Sequence, residues 1–513
     1  MSTLIDLFRT SACQWPDSPA ILTPGLTLDH SHLAQVSDCV AAGLAERGIL
    51  PGDRVALYCT NGPEFVYAYA GIIKAGAIVV PVNLLINQAE VAYILADAGV
   101  AAIIFHHSLG AMVEQVRPLL PQPVLGIIVG GGGEGDTDFA ELCLSKAPKP
   151  EPVLVPERDL AAIIYTSGTT GFPKGAMLTH ANLVANTRSV FAAMHWRSGL
   201  DRVLVVLPMF HAFAATVGML TPLTHGCALI PLPRFEPESV AAAIQQQKAT
   251  IFLGVPSMYS VLLRLKGDRV EQLASLRYGI SGGAAMPVDV LRRFEARFGL
   301  PIYEGDGPTE CSPVTCVNPI GGLAKPGTVG VPVPGVEMMI VGDDGKPLGD
   351  GEIGEIAVRG PNVMKGYWHQ SEATAEVFLG DWFLTGDLGT RDADGYFSIV
   401  DRKKDLIIVN GMNVYPRMIE EVLYRYPGLR EAAVVGEVSQ LHGEIPVAYV
   451  VFDQAGDADE MTLRRYCRER LGQHQVPRRF VMLPELPKNA AGKIMKRELR
   501  KHGEIERGVL GLD

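Results

Sequence analysis

Several classes of protein are excluded by what this sequence lacks. Its start, Met1-Ser-Thr-Leu-Ile-Asp6, has no basic segment followed by an apolar one, so no secretory leader is visible. The eight cysteines (Cys13, Cys39, Cys59, Cys143, Cys227, Cys311, Cys316, Cys467) are scattered and form no C-x-x-C pair. Neither a disulfide framework nor a zinc site is supported, and reduced thiols in a cytoplasmic setting are expected. An excess of positive charge is missing too. Against 45 Lys and Arg stand 56 Asp and Glu, a formal charge of −11, which argues against a general nucleic-acid binder. One stretch, 203–233, has no Lys, Arg, Asp or Glu and is long enough to span a bilayer. Pro208, Pro222, Pro231, Pro233, His211 and His225 interrupt it, so strand, loop, helix and strand of a soluble core are expected there. No transmembrane segment is predicted; peripheral membrane contact stays open.

What is present points to a large folded enzyme-sized chain. Its 513 residues are too many for one core and suggest about three folding units. Hydrophobic residues make up 48% and charged residues 20%, enough to bury a sizeable core. Glycine is abundant at 55 residues, which hints at backbone approaching something closely, such as phosphate. Charge is uneven along the chain. From Asp401 onward 19 Lys and Arg face 17 Asp and Glu, whereas the first 400 residues carry 26 against 39. A break in composition near residue 400 suggests two parts with different tasks.

Periodicity alternates between strand and helix in the first 330 residues. Helical spacing over Ser31–Arg47, Glu64–Ala75 and Gln88–Ala98 is interleaved with apolar runs at Arg54–Cys59, Ala77–Val82 and Ala101–Phe105. The pattern continues through Ala161–Tyr165, Leu204–Leu207, Ala228–Pro231 and Thr250–Leu253. Such βα alternation predicts mostly parallel sheets with helices on their faces. From about 329 to 400, Gly-Asp and Gly-Glu turns separate short alternating runs, which predicts a small antiparallel, barrel-like β region. Beyond Arg402, short strands and two helices near Met418–Arg425 and Thr462–Leu471 predict a compact α+β unit. The expected fold class is therefore α/β: a large body, 1–400, and a small C-terminal α+β domain, 401–513.

Two glycine-rich segments invite a phosphate reading. Gly130-Gly-Gly-Gly-Glu-Gly135 formally fits G-x-G-x-x-G, but Asp136–Lys146 is a poor glycine-packed helix, so a surface loop is expected and a dinucleotide site is not. Tyr165-Thr-Ser-Gly-Thr-Thr-Gly-Phe-Pro-Lys-Gly175 follows a core strand and combines five hydroxyls, three glycines and one lysine. Hydroxyls and free amides are donors for phosphate oxygens, and Lys174 supplies compensating charge. It is not a Walker loop, since Pro173 precedes the lysine and Gly175 follows it.

This loop resembles the signature of the adenylate-forming (ANL) superfamily of acyl- and aryl-CoA synthetases, luciferases and peptide-synthetase adenylation domains. Later motifs of that superfamily follow in order: Pro208-Met-Phe-His211, Ser281-Gly-Gly-Ala-Ala285, Glu304-Gly-Asp-Gly-Pro-Thr-Glu310, Trp382-Phe-Leu-Thr-Gly-Asp387, Asp401-Arg-Lys-Lys-Asp-Leu406 and Pro487-Lys-Asn-Ala-Ala-Gly-Lys493. The overall likeness, from about Leu33 to Leu499, is most to AMP-dependent medium- and long-chain fatty-acid–CoA ligases.

The resemblance implies a set of roles. Thr166, Ser167, Gly168, Thr169, Thr170, Gly171 and Lys174 would hold the ATP phosphates. Gly282, Gly283 and Ala284 would pass along adenine, beside Asp306 and Gly307. Thr309 would contact the α-phosphate, Glu310 would hold Mg²⁺, and Asp387 would bind the ribose hydroxyls. Arg402 would reach the nucleotide, Asp401 would be the hinge of a mobile lid, and Lys493 would be the catalytic lysine. His211 would line the acyl site and Gly411 would meet the adenine of CoA. The implied reaction activates a carboxylic acid as acyl-AMP and then forms its CoA thioester, releasing AMP and pyrophosphate. An aryl-CoA ligase, or an acyl-AMP ligase that loads a carrier protein, is the alternative; a dimer stays open.

Two positions depart from the superfamily pattern. Asp306 stands where an aromatic residue usually stacks on adenine, leaving either Tyr303 to stack or Asp306 to meet the exocyclic amine. Asn410-Gly-Met-Asn-Val-Tyr-Pro416 replaces the usual Gly-Gly-Glu-Asn-Ile-Tyr-Pro, so the glycine pair is half present. The segment Phe210–Leu220 has no charge to hold a substrate ammonium, which argues against an amino acid. Its small residues Ala212, Ala214, Ala215 and Gly218 are expected to leave room for an alkyl chain.

Overall fold

The computed structural model of the chain describes residues 2–132, 135–166, 173–439, 441–453, 459–488 and 494–501. Their strands form four sheets. The first runs in the order 137–138, 125–129, 102–106, 54–58, 78–81, 160–166 and 174–179, all parallel except the last, antiparallel pair. Its central strands are near-continuous apolar runs because helices cover both faces; Val55, Ala56 and Leu57 are fully buried. The helix Gln88–Ala98 has the bounds expected from the sequence because both ends are encoded locally. Asn87 and Glu90 form a capping box, and Gly99 ends the helix at φ +59.

The second sheet has nine strands, in the order 331–332, 316–317, 302–306, 278–281, 251–254, 202–205, 228–231, 19–23 and 26–29. From 302–306 through to 19–23 neighbouring strands are parallel. The charge-free stretch folds as expected, with a strand at Arg202–Val205, helix over Phe213–Thr224 and a strand at Ala228–Pro231. Periodicity did not reveal that Phe213–Leu220 is wound as a π-helix. Hydroxyls answer part of that loosened ladder: Thr221 Oγ1 donates to the Thr216 carbonyl at 2.8 Å and Thr224 Oγ1 to that of Leu220 at 2.6 Å.

The small residues of this segment serve packing. A Cβ on Gly218 would lie 2.7 Å from Val205 Cγ2 and 3.4 Å from Leu253, while Ala212, Ala214 and Ala215 are at most 1% exposed. On the Gly218 face, sheet side chains fill the space expected for an alkyl chain.

The antiparallel region predicted after 329 is a five-stranded sheet of 337–341, 354–359, 378–379, 382–391 and 397–402. The fourth sheet holds 407–409, 412–414, 429–439, 443–452 and 479–482, with helices Pro416–Tyr424 and Glu460–Arg468. It has its own core around Val414, Ile419, Leu423, Val434 and Leu463. The described residues of the glycine-rich segment, Gly130–Gly132 and Gly135, are exposed and fit the surface reading. The segment follows the strand Leu125–Val129, and the next helix is the five-residue Phe139–Cys143, capped by Asp138. Among the described residues no helix is long and apolar enough to cross a membrane.

Candidate active site

The site is built where strand ends of the two large sheets meet loops from later in the chain. The hairpin of Leu160–Thr166 and Lys174–Thr179 brings Thr166 and Lys174 into register, and Thr166 Oγ1 donates to the Lys174 carbonyl at 3.4 Å. Ser167, Gly168, Thr169, Thr170 and Gly171 lie outside the described residues, as does Lys493. The segment 366–368 lies along this hairpin: Met177 N donates to the Gly366 carbonyl at 2.9 Å and Trp368 N to that of Gly175 at 2.8 Å. Tyr367 is thereby placed beneath Lys174, whose Nζ is 5.1 Å from the ring centroid. The Tyr367 hydroxyl donates to Glu310 Oε1 at 2.8 Å. Burial, and then the Glu310 charge, hold this phenol protonated and therefore a donor.

Glu310 and Thr309 occupy a single 3₁₀ turn, Thr309–Cys311, gripped by two buried asparagines. Asn186 Nδ2 donates to the Val314 carbonyl at 2.8 Å, and Val314 N donates to Asn186 Oδ1 at 3.3 Å. Asn362 Nδ2 donates to the Cys311 carbonyl at 2.8 Å, and Met364 N to that of Glu310 at 2.7 Å. Cys311 is fully buried, and burial pushes its thiol far above the usual range, which makes it no nucleophile.

The Gly282–Ala284 turn follows the strand Tyr278–Ser281. Gly282 faces the Phe213 ring, which a Cβ would approach to 3.3 Å, and Gly283 has φ +75. A Cβ on Gly307 would fall 1.7 Å from the Pro313 carbonyl oxygen, so glycine is required there by chain packing. Asp306 ends the strand Ile302–Asp306, and its carbonyl accepts from Thr315 N at 2.9 Å. Tyr303 does not compensate for the missing aromatic residue. It is 8% exposed, stands edge-on to Tyr278 at 5.7 Å, and its hydroxyl accepts from Gly321 N at 3.0 Å. It stands three positions from Asp306, an odd offset, so the two point to opposite faces of the strand.

Asp387 and Arg402 face each other across the antiparallel pair 382–391 and 397–402, with Arg402 Nε 3.0 Å from Asp387 Oδ1. Asp387, then Asp306, Asp405 and Glu310, raise the Arg402 pKa, which places this cation among the carboxylates of the site. Asp401 is 6% exposed; its Oδ2 accepts from Arg417 N at 2.8 Å, in the first turn of Pro416–Tyr424. His211 is exposed, at the head of the helical segment that carries Phe213. Gly411 stands apart, at φ +77 on the tip of the hairpin 407–414, where Asn410 N donates to the His442 carbonyl at 2.8 Å.

Sequence reasoning gave no role to Tyr367, Asn186, Glu304 and Arg417. Glu304 opens one of the motifs quoted above, and Tyr367 had a visible signal in the aromatic pair of Gly366-Tyr-Trp368.

The profile of AMP-binding enzymes matches residues 8–368, and that of their C-terminal domain matches 418–493. This chain belongs to the AMP-binding enzyme family. Among its relatives is a long-chain-fatty-acid–CoA ligase of Bacillus subtilis, 37% identical over 97% of this chain and 94% of that one. A feruloyl-CoA synthase of Amycolatopsis is 38% identical over 95% of this chain and 96% of its own length. An anthranilate CoA ligase, solved with anthranoyl-AMP, superposes with a TM-score of 0.92 at 28% identity, covering 99% of this chain and 98% of that one. The stretch between the two matched regions, 369–417, contains Asp387, Asp401 and Arg402.

Proposed function

We propose that this AMP-binding enzyme joins a carboxylic acid to ATP as acyl-AMP, releasing pyrophosphate, and then passes the acyl group to the thiol of CoA, releasing AMP. The reading is carried by one observation: Lys174, Tyr367 and Glu310, from three distant segments, stand in a connected line beside the Asp387–Arg402 pair. Forming the anhydride sets an anionic acid against an anionic phosphate, so cations and oriented donors must meet the developing charge. Lys174, with the 166–171 loop, is assigned to the phosphates that leave, and Thr309 to the α-phosphate. Asp387 is assigned to the ribose hydroxyls, Arg402 to the nucleotide, and Gly282, Gly283, Ala284, Asp306 and Gly307 to the adenine pocket. Lys493 is assigned to the reacting oxygens.

Glu310 fits Mg²⁺, a hard ion that commonly takes one or two carboxylates with substrate phosphates, and one of its oxygens is already oriented by Tyr367. When bound, the ion would neutralise phosphate charge. Residues 401–513 are assigned to a lid hinged at Asp401, with Gly411 on the face that would meet CoA after rotation. For the acid, the charge-free segment around His211 and Phe213 supports an apolar acyl group, with a medium- or long-chain fatty acid as the first reading. An aryl acid is the second. It is favoured by the half-buried Phe213 ring beside Gly282 and by the filled Gly218 face.

A panel of fatty and aryl acids, read by AMP and CoA-thioester formation, tests both readings. Pyrophosphate release without CoA-dependent thioester would sink the ligase reading in favour of carrier loading. Lys493→Ala is expected to lose acyl-AMP formation yet still transfer an acyl group from supplied acyl-AMP. Equal loss in both half-reactions contradicts the lid assignment.

A further inference from the structure

The helix Gln88–Ala98 holds segments of the candidate site from behind. Val91, Ile94, Leu95 and Ala98 seat it on the first sheet, among Ala56, Ile78 and Val80. Its last turn then makes contacts that the seating does not require. Asp97 Oδ2 accepts from the Tyr165 hydroxyl at 2.5 Å, within the short range of a charge-assisted bond. The Asp97 carbonyl, one of those left over at a helix C-terminus, accepts from Trp368 Nε1 at 3.0 Å. The next two carbonyls, of Ala98 and Gly99, accept from Arg54 Nε at 2.8 Å and Nη2 at 2.6 Å, and the Arg54 guanidinium lies 6.0 Å from the centre of the Trp368 ring. A carboxylate in the last turn faces the negative end of the helix dipole, so Asp97 weakens its own helix while it holds a distant phenol. Burial, and then the bond to Asp97, keep that phenol protonated and therefore a donor.

These contacts close a ring. Tyr165 is in register with Gly175 across the hairpin, and the Gly175 carbonyl accepts from Trp368 N at 2.8 Å. The ring is tightly filled: a Cβ on Gly175 would lie 2.7 Å from Ile163 Cγ2, 3.1 Å from Tyr165 Cζ and 3.4 Å from Trp368 Cβ. Tyr165, Gly175 and Trp368 each sit one position from a residue of the candidate site, Thr166, Lys174 and Tyr367 respectively. The chain is extended here, with Ala176 and Tyr367 bridged antiparallel, and neighbouring side chains of extended chain point to opposite faces. The ring therefore turns toward the helix, while the Tyr367 hydroxyl turns toward Glu310.

We propose that Asp97 is a positioning residue for the phosphate side of the site, setting Lys174 over Tyr367 and Tyr367 against Glu310 by way of Tyr165 and Trp368. The proposal rests on the assignment of Lys174 to the phosphates that leave. One residue supplies both anchors: its carboxylate fixes the end of the hairpin, and its carbonyl fixes the segment 366–368. A shift of either anchor changes the 5.1 Å separation of the Lys174 ammonium from the Tyr367 ring. The half-reaction that releases or takes up pyrophosphate therefore depends on Asp97. Transfer of the acyl group from acyl-AMP to a thiol, which involves neither departing phosphate, does not.

The test separates positioning from stability. Asp97→Ala removes the carboxylate and leaves the carbonyl, and Tyr165→Phe removes the other partner of the same bond. Each is expected to raise the KM for pyrophosphate in acid-dependent ATP–pyrophosphate exchange roughly tenfold, with kcat within about threefold, the lower end of the effect of a hydrogen bond to a charged group. The double variant should lose no more than the larger single loss, because both changes break one bond. Asp97→Asn keeps an acceptor oxygen and should recover part of the loss. Transfer from supplied acyl-AMP to CoA should stay within about twofold of wild type in every variant. Binding of magnesium pyrophosphate, followed by calorimetry, reads the same geometry without turnover and should weaken by the same factor. Unchanged KM and affinity in Asp97→Ala, additive losses in the double variant, or equal losses in both half-reactions overturn the proposal. A wild type that binds pyrophosphate but forms no acyl-AMP with any acid would sink the proposed function, and the calorimetric series would still decide for or against Asp97.

Discussion

Replacing Tyr367 by phenylalanine isolates one hydrogen bond in the candidate site. The substitution removes the 2.8 Å bond to Glu310 Oε1 and keeps the aromatic face under Lys174. A hydrogen bond to a charged group contributes about 1.5–3 kcal/mol net. At about 1.4 kcal/mol per factor of ten, that corresponds to a loss of roughly 10- to 100-fold if the bond aims Glu310 in the transition state. The turn that carries Glu310 should not move, because Asn362, Met364 and Asn186 grip its backbone independently of the phenol. Acid-dependent ATP–pyrophosphate exchange, measured across a Mg²⁺ series, reads the effect. The expected result is a lower rate and a higher Mg²⁺ requirement with an unchanged melting temperature. Tyr367→Leu removes the ring as well and should cost about a further 0.5–2 kcal/mol through Lys174. Exchange in Tyr367→Phe within twofold of wild type would refute the assignment of this line of residues.

Two further outcomes follow from burial. Asn186→Ala leaves the Val314 amide and carbonyl without their partner in a fully buried place, and about 1–3 kcal/mol of stability should be lost in denaturant titration, together with exchange activity. Burial pushes the Glu304 carboxyl up to about 7 in the folded chain from an ordinary value of 4.5. The native state therefore binds more protons in that window, and stability falls as pH rises through it, by roughly 3 kcal/mol at about 1.4 kcal/mol per unit. Glu304→Gln should remove this decline, so that its denaturation midpoint gains on wild type from acid to neutral pH. Parallel curves for the two proteins would rule out Glu304 as the titrating group.

Legibility followed the range of the interactions. The helix Gln88–Ala98 was readable to its last residue because its capping box and terminal glycine lie within twelve positions of one another. Sheet membership of the apolar runs was readable because strands covered on both faces have no alternative to continuous hydrophobicity. By contrast, the separation of 57 positions from Glu310 to Tyr367, and of 176 from Leu4 to its partner His180, leaves no periodic trace. Composition also misled at Gly218, where small size reads equally as open space and as close helix–sheet packing; the nearness of Val205 decides for packing. Of the motif residues reached through resemblance, Thr166, Asp306 and Thr309 fall at strand ends and a turn, where local pattern says little about chemistry, and Asp387 lies inside the strand Trp382–Arg391.

Asp401, the proposed hinge, lies at the break in charge, and its contacts join the parts of the chain on either side of it. Its backbone belongs to the body, since it is in register with Leu388 in the antiparallel sheet, while its carboxylate reaches forward to the first turn of the next helix. A carboxylate at a helix N-terminus is favourable by about 0.3–1 kcal/mol, more when partly buried. Burial raises its pKa, and Lys496, followed by the Arg417 amide, opposes that rise. Lys496 is itself bonded to Glu420 at 2.8 Å and follows Lys493 by three positions, while Arg500 reaches Asp405 at 2.7 Å. The carbonyl of Ile399, the carboxylate of Asp401 and the side chain of Asp405 thus hold the helix start and the segment 494–501 to one short stretch of chain. Rotation about Asp401 must either break the cap or carry the cap with it and strip Asp387 from Arg402. Under the proposed roles, the second course would release Asp387 from Arg402 and move the segment 494–501 in the same step, coupling the proposed nucleotide contacts to the proposed lid through a single residue.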